Sequence, residues 1–400
     1  MTKSTPLVSR RRRFTSFAAV FLAAVMSLSL LVVGAPAQQY QTKARQALLI
    51  EAETGSVLFQ KSAEEAMPPA SLAKLMTLYI AFKALKAGEL KLEEEVNVSV
   101  HAWRTGGAKS GGSAMFLPPN TKVTVGDLMA GIIVESGNDA SIVIAERLAG
   151  TEEQFARNMT EEARKLGFKV ANFGNSTGLP HPENRMTARE LAILSQLIIK
   201  EFPDYYPWFA QKEFRWKKHR FINRNPLLFT NSGTDGLKTG HLNESGYGLV
   251  ASAVQDGRRL ILVLNGLSTM AERKEEATKL LDWGHRNFAP AKIFDAGDIV
   301  GEARVWGGTQ YFVKLSGKGD VMVLMPRSLG KEKYKAEIVY KGPLKPPIAK
   351  GDQVATLRVT TSLGTVAEAP LYAAEDVQRG GVLARGLDSL VHLAFRWVSL

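Results

Sequence analysis

Three short clusters in this 400-residue chain hold residue types that could do chemistry together. In the first, Ser71 and Lys74 stand three apart within "MPPASLAKLMTLYIAF" (67–82), a run that reads as a helix apolar on nearly every side. Residues three apart share a helix face, and Thr77 continues the polar stripe. A lysine amine desolvated among Leu, Met and Ala has a lowered pKa and can be neutral near physiological pH. A neutral amine beside a hydroxyl is a general base for a serine nucleophile. Spacing alone is weak, since Ser-X-X-Lys turns up roughly once or twice by chance in a chain of average composition. It recurs at Ser328 and Lys331, around Gly330 and opening the charged run "KEKYK", where nothing would desolvate the amine.

The second cluster, "ESGNDAS", places Ser136, Gly137 and Asn138 between two helical runs, where a short loop can aim a hydroxyl and an amide at a cleft. A plain helix connection uses the same residues. The third, "GLKTGH", places Lys238, Thr239 and Gly240 on a strand, with Gly240 admitting the close approach of a substrate backbone. Its decoy is "KSG" at 109–111, inside the glycine-rich "TGGAKSGGS".

The surrounding pattern supplies elements to hold these clusters. "QALLIEAETGSVLFQKSA" reads as a hairpin turning at Glu53, Thr54 and Gly55. "VTVGDLMAGIIVESGNDASIVIAERLAG" gives helical runs broken at 135–138, and "ENRMTARELAILSQLIIKEF" starts a helix near Thr187 with Glu190 completing a capping box. "TDGLKTG" and "GYGLVASAVQDGRRLILVLNGL" read as strands, with Asp256-Gly257 a hairpin turn. "ERKEEATKLLDWGHRNF" returns to an amphipathic helix. The mixture predicts an α+β fold, an antiparallel sheet with helices packed on both sides. After Pro290 the chain changes to short alternating strands such as "YFVKL", "VMVLM" and "VATLRV", which predict a small all-β domain over 291–378. Over 379–400, Leu383, Leu387, Leu390, Ala394 and Trp397 share one helical face, opposite Arg385, Asp388, Ser389, His392 and Arg396. This segment is too polar to span a bilayer. It suits an amphipathic helix lying on a membrane surface, or one docked on its own β-domain.

Residues 1–37 hold a basic "SRRRRF", an apolar run over 17–33 and the small residues "GAPA", the three parts of an export signal cleaved before Gln38. A retained membrane anchor and a twin-arginine signal are the other readings of the same stretch. Part of the formal net charge of +12 lies there, for without this stretch 46 basic face 39 acidic residues, or +7. Such a mildly basic surface suits an anionic wall or membrane, and no nucleic-acid-binding pattern supports DNA or RNA as partner. There are no cysteines, and the six histidines are scattered, so neither a disulfide framework nor a metal or other cofactor is expected.

The order Ser-X-X-Lys, Ser-X-Asn, Lys-Thr-Gly is the signature shared by penicillin-binding proteins and class A β-lactamases. From about residue 40 onward the chain resembles the low-molecular-weight penicillin-binding proteins that are D-alanyl-D-alanine carboxypeptidases. The blocks that carry the resemblance are "PPASLAKLMT", "GIIVESGNDAS", "NSTGLP" followed by "TARELA", "NRNPLL", "TDGLKTGHLNESGYGLVASA" and "ATKLLDWG". It implies a transpeptidase-like domain over 38–290, the β-domain and the terminal helix. It implies that Ser71 attacks the penultimate D-alanine carbonyl of a peptidoglycan pentapeptide, that Lys74 takes its proton and that Ser136 and Lys238 relay protons. Lys238 would also hold the substrate's carboxylate side, joined by Thr239, while Asn138 would bind the peptide amide. Arg224 and Arg273 look like supporting arginines. Gly240 would line the site, and the backbone N–H groups of Ser71 and His241 would form an oxyanion hole, leaving the His241 imidazole incidental. β-Lactam antibiotics would acylate the same serine, and the protein would work in the periplasm on the outer face of the cytoplasmic membrane. Glu190, where the family more often has Asp, and Pro226 after "NRN" depart from the pattern. A DD-endopeptidase shares the nucleophile. A β-lactamase would need a deacylating glutamate, for which Glu183 is the candidate.

Overall fold

The computed structural model describes residues 40–230, 233–327, 334–360 and 366–381. The expected export signal (1–37), the second Ser-X-X-Lys (Ser328, Lys331) and the expected amphipathic tail beyond residue 381 lie outside the described residues. The chain divides into Met1–Gln41 and Thr42–Leu400, and every element below belongs to the second unit.

Strands β1 (Gln46–Glu51) and β2 (Val57–Lys61) form the expected hairpin. Glu51 holds the turn, its carboxylate accepting from the Glu53 and Thr54 amides and from the Thr54 hydroxyl. The helix expected from residue 67 starts later. Pro68 and Pro69 disfavour helical backbone in the residues before them, and Met67 instead pairs with Met186. A 3-10 turn at Ala70–Ala73 then leads into α1 (Lys74–Ala87), which stops at Gly88 in the left-handed conformation. Leu75, Met76, Leu78, Tyr79 and Phe82 are all buried. Full burial of each large apolar side chain is worth about 1.5–3 kcal/mol, ample to seat the one lysine this helix start carries inward.

A short ladder of β3 (Glu95–Asn97) and β4 (Lys122–Thr124) flanks α2 (Val100–Gly106) and α3 (Val125–Ala130). A single π-helical turn, Gly131–Glu135, and α4 (Asn138–Ala149) follow. The sequence reading did not anticipate α5 (Glu152–Lys165), because its apolar face, Phe155, Ala156, Met159 and Ala163, is interleaved with charge. The expected capping box opens α6 (Ala188–Glu201). Glu190 also accepts from the Val170 and Ala171 amides, so the longer carboxylate ties a second loop to the helix start. After the hairpin of β5 (Glu213–Trp216) and β6 (His219–Ile222), Pro226 occupies the first position of a 3-10 turn, where its missing N–H costs nothing.

Strands β7 (Thr234–Leu242), β8 (Gly246–Gln255) and β9 (Arg258–Leu267) complete an antiparallel order β2-β1-β9-β8-β7. Asp256 and Gly257 both have positive φ, as a two-residue hairpin turn requires. Successive strand residues face opposite sides. Leu48 and Ile50 accordingly line a cavity with Ala192 and Ile193 of α6. Leu49 meets α7 (Met270–Asn287) on the other face, where a Cβ on Gly284 would lie 2.5 Å from its side chain.

The chain continues through β10 (Phe288–Phe294), β11 (Gly301–Arg304), β12 (Phe312–Ser316), β13 (Val321–Pro326), β14 (Lys335–Val339), β15 (Gln353–Thr360) and β16 (Val366–Ala373). These strands share an apolar cluster of their own, including Val305, Val313, Leu315, Leu357, Val359 and Leu371. Among the described residues one backbone pairing, Val57 with Val366, makes this β-rich part continuous with the main sheet.

Candidate active site

Ala70, at φ +51°, bends the chain into the 3-10 turn that presents Ser71, and Lys74 follows one turn later. Lys74 Nζ lies 3.1 Å from Ser71 Oγ, 2.7 Å from Asn138 Oδ1 and 2.6 Å from the Thr177 carbonyl oxygen. The lysine is 0% exposed. Burial, and next the Arg224 guanidinium, pull its pKa down to about 7 against the opposing pull of Glu152 and Asp139. The amine singled out by spacing and apolar surroundings therefore lies against the hydroxyl, with its pKa near neutrality.

Ser136 closes the π-helical turn at φ +66°, and its buried Oγ has no hydrogen-bond partner among the described residues. Asn138 is not on a loop, as the sequence reading had it, but is the first residue of α4. Its backbone N–H donates to the Ser113 carbonyl, and the neighbouring Asp139 carboxylate accepts from the Met115, Leu117 and Ala140 amides. These bonds fasten the 113–117 strap to the start of α4 and hold the Asn138 amide on Lys74. Gly106 of α2 packs so tightly there that a Cβ would overlap the Asp139 amide.

Strand β7 brings the third cluster across the sheet edge. Lys238, 2% exposed, has its amine held well below the usual range by burial, then by Lys74 and Arg224. A Cβ on Gly240 would lie 3.1–3.3 Å from Leu72, Pro69 and Ala70. The glycine thus lets β7 press against the 3-10 turn that carries Ser71, a constraint that comes from the protein itself. His241 is exposed, with its ring stacked on Tyr247 at 4.0 Å. The buried Arg273 guanidinium lies 5.6 Å from the opposite partner of that stack, the Tyr247 ring. Its pKa is lowered to about 10 by burial, and its Nε has no partner among the described residues. Arg224 is engaged with Glu135 and with Ser113 Oγ at 2.7 Å.

Two groups escaped the sequence reading because they are backbone carbonyls. Thr177 O receives Lys74, and Ser176 O receives the Thr77 hydroxyl at 2.7 Å. The available signal was "NSTG" itself. Asn175 Oδ1 accepts from the Thr177 and Gly178 amides, and Gly178 stands at φ +74°, where a Cβ would overlap the Ala70 carbonyl oxygen.

Ser71, Ser136, Asn138, Arg224, Thr239, Gly240, His241 and Arg273 all border one open cleft of about 1050 Å³. Lys74 and Lys238 lie buried behind its wall. Of the decoy at 109–111, Ser110 and Gly111 border the cleft while Lys109 stacks on Trp103 at 4.8 Å. Glu183 is exposed and is not among the residues bordering it. A hydroxyl on a neutral-range amine, in an open cleft bordered also by the buried Arg273 guanidinium, is equipped to take an acyl group from an anionic substrate.

The model of the D-alanyl-D-alanine carboxypeptidase family matches residues 33–269, and that of the penicillin-binding protein 5 C-terminal domain matches residues 288–379. D-alanyl-D-alanine carboxypeptidase DacC of Escherichia coli is 37% identical over 88% of this chain and 89% of its own length. DacF of Bacillus subtilis is 34% identical over 85% and 87%. Penicillin-binding protein 5 from Haemophilus influenzae superposes with a TM-score of 0.70 at 34% identity, covering 85% of this chain and 99% of that one. The chain therefore belongs to the D-alanyl-D-alanine carboxypeptidase family, with the penicillin-binding protein 5 type of C-terminal domain.

Proposed function

We propose that the protein is a serine-type D-alanyl-D-alanine carboxypeptidase that removes the terminal D-alanine from peptidoglycan pentapeptides and is acylated by penicillins. The observation that carries this is the 3.1 Å contact between Ser71 Oγ and an amine whose pKa is about 7. A neutral Lys74 has two N–H bonds, which Asn138 Oδ1 and Thr177 O accept. Its lone pair is then left for the Ser71 hydroxyl, which donates its proton to Nζ as Oγ attacks the penultimate D-alanine carbonyl. The backbone N–H groups of Ser71 and His241 stabilise the tetrahedral oxyanion. The proton passes through the Ser136 hydroxyl to the departing amine, and D-alanine leaves an ester on Ser71. Water, deprotonated by Lys74, hydrolyses that ester. Lys238, Thr239 and Arg273 hold the terminal carboxylate, Arg224 braces the 113–117 strap and Asn138 adds a donor to the peptide.

The domains of this reading are an export signal (1–37), the catalytic domain (38–290), the β-domain (291–378) and a membrane-surface helix (379–400), which place the enzyme in the periplasm at the membrane's outer face. Truncation after Gly380 is expected to release it from membranes with peptide hydrolysis nearly intact. Purified protein incubated with a D-Ala-D-Ala pentapeptide should release D-alanine, and Ser71→Ala should abolish release. Cleavage of cross-linked dimers without release from the pentapeptide would make it an endopeptidase instead. Release of hydrolysed penicillin within seconds would make it a β-lactamase.

A further inference from the structure

Behind the catalytic lysine sits a carboxylate that the reaction as drawn does not use. Glu152 opens α5 and is 7% exposed. Its Oε1 accepts both the backbone N–H of Ser176 at 3.0 Å and the Ser176 hydroxyl at 2.7 Å. Its Oε2 lies 3.2 Å from His101 Nε2 on α2. The segment it grips is the one whose next carbonyl, Thr177 O, receives Lys74, while the Ser176 carbonyl receives Thr77 from the same helix as Lys74.

We infer that Glu152 is a positioning residue for the Ser71–Lys74 pair: by clamping Ser176 it sets the Thr177 carbonyl on Lys74 Nζ, and its charge offsets the Arg224 guanidinium that presses on that amine. The clamp has a physical reason to be a carboxylate. One oxygen must accept two donors at once, which an ionised oxygen does better than an amide oxygen. The start of a helix also favours negative charge. The other charges acting on Lys74 are Arg224 and Asp139. Removing Glu152 therefore takes away one of the two carboxylates that oppose the Arg224 guanidinium at this amine. Facing Glu152 itself are His101 on α2 and Glu146 on α4.

The inference rests on the carboxypeptidase reading only in naming Lys74 as the base, and its test reads the lysine without turnover. In full-length protein, the Lys74 side chain is titrated by NMR in wild type, Glu152→Gln and Glu152→Ala, alongside acylation by a fluorescent penicillin across pH. Glutamine keeps an acceptor for Ser176 but loses the charge, so the Lys74 midpoint and the acid limb of acylation should both move to lower pH. Alanine should also free the Ser176 segment and cut acylation about tenfold or more at every pH, the scale expected when a reacting group loses its alignment. An unchanged Lys74 midpoint in Glu152→Gln, or wild-type acylation in Glu152→Ala, would overturn the assignment. A shifted midpoint in a protein that releases no D-alanine would sustain the clamp and defeat the carboxypeptidase reading.

Discussion

Asn138 Oδ1 accepts a hydrogen bond from Lys74 Nζ at 2.7 Å, joining residues 64 apart in the chain. An amide is the group this place requires. It accepts from the lysine without adding a charge, so Lys74 keeps the low pKa that burial imposes. Asn138→Asp would set a carboxylate on the amine and hold it protonated. Acylation at pH 7 should fall by about tenfold or more, with recovery only at higher pH, since an adjacent opposite charge moves a pKa by roughly 1–3 units. Penicillin labelling from pH 5 to 10 would show this, and an unmoved profile would refute it.

The wild-type pH dependence follows from the same amine. As the proposed base, Lys74 must be neutral to act, so acylation should rise as pH passes upward through about 7. Stability is linked with the same sign. The folded pKa lies below the ordinary lysine value of 10.5, so between those limits the unfolded chain binds the extra proton and stability rises with pH. Below about pH 7 this contribution is flat. Lys74→Met removes the buried amine. It should raise Tm at pH 7 by several degrees, given roughly 2–4 °C per kcal/mol for a protein of this class, while acylation disappears. A lower Tm would contradict the claim that the lysine is held at a cost.

Gly178 and Gly167 offer a matched pair. Both have positive φ, but a Cβ on Gly178 overlaps the Ala70 carbonyl whereas nothing lies within 4 Å of one on Gly167. Alanine at either site should cost about 1–3 kcal/mol of backbone strain, read as a fall in Tm. Only Gly178→Ala should also slow acylation, because it displaces the turn that carries Ser71. Equal acylation in the two variants would show that the contact does not position the nucleophile.

The two arginines should separate kinetically. Arg273 borders the cleft with an Nε unpartnered among the described residues, whereas Arg224 is already bonded to Glu135 and Ser113. Arg273→Ala should raise KM for the pentapeptide about tenfold with little change in kcat, as expected for lost binding that is uniform along the reaction. Arg273→Lys should restore only part of it, since the planar fork is lost. Arg224→Ala should instead lower kcat by loosening the strap that holds Asn138. The opposite division of effects would reverse the two roles.

Much of this architecture is written locally. The hairpin at Glu53–Gly55, the Thr187–Glu190 capping box and the Asp256-Gly257 turn each depend on residues within a few positions of one another, and each formed as read. The charged α5 was missed because four apolar residues among many charges do not announce a buried face. Without α5, Glu152 could not be placed.

The site divides the same way. Ser71 and Lys74 share a helix turn, so the sequence by itself determined their meeting, and the three motifs together with the blocks around them pointed to the family. The third dimension decided what those residues became. Burial of Lys74 is a property of neighbours from several elements, and its other two partners lie 64 and 103 positions away. One of them is a backbone carbonyl, which every residue possesses and no residue type reveals. Carbonyls acquire a role only when the chain is folded, because their direction is set by φ and ψ, by the Gly178 bend and by the carboxylate that clamps Ser176.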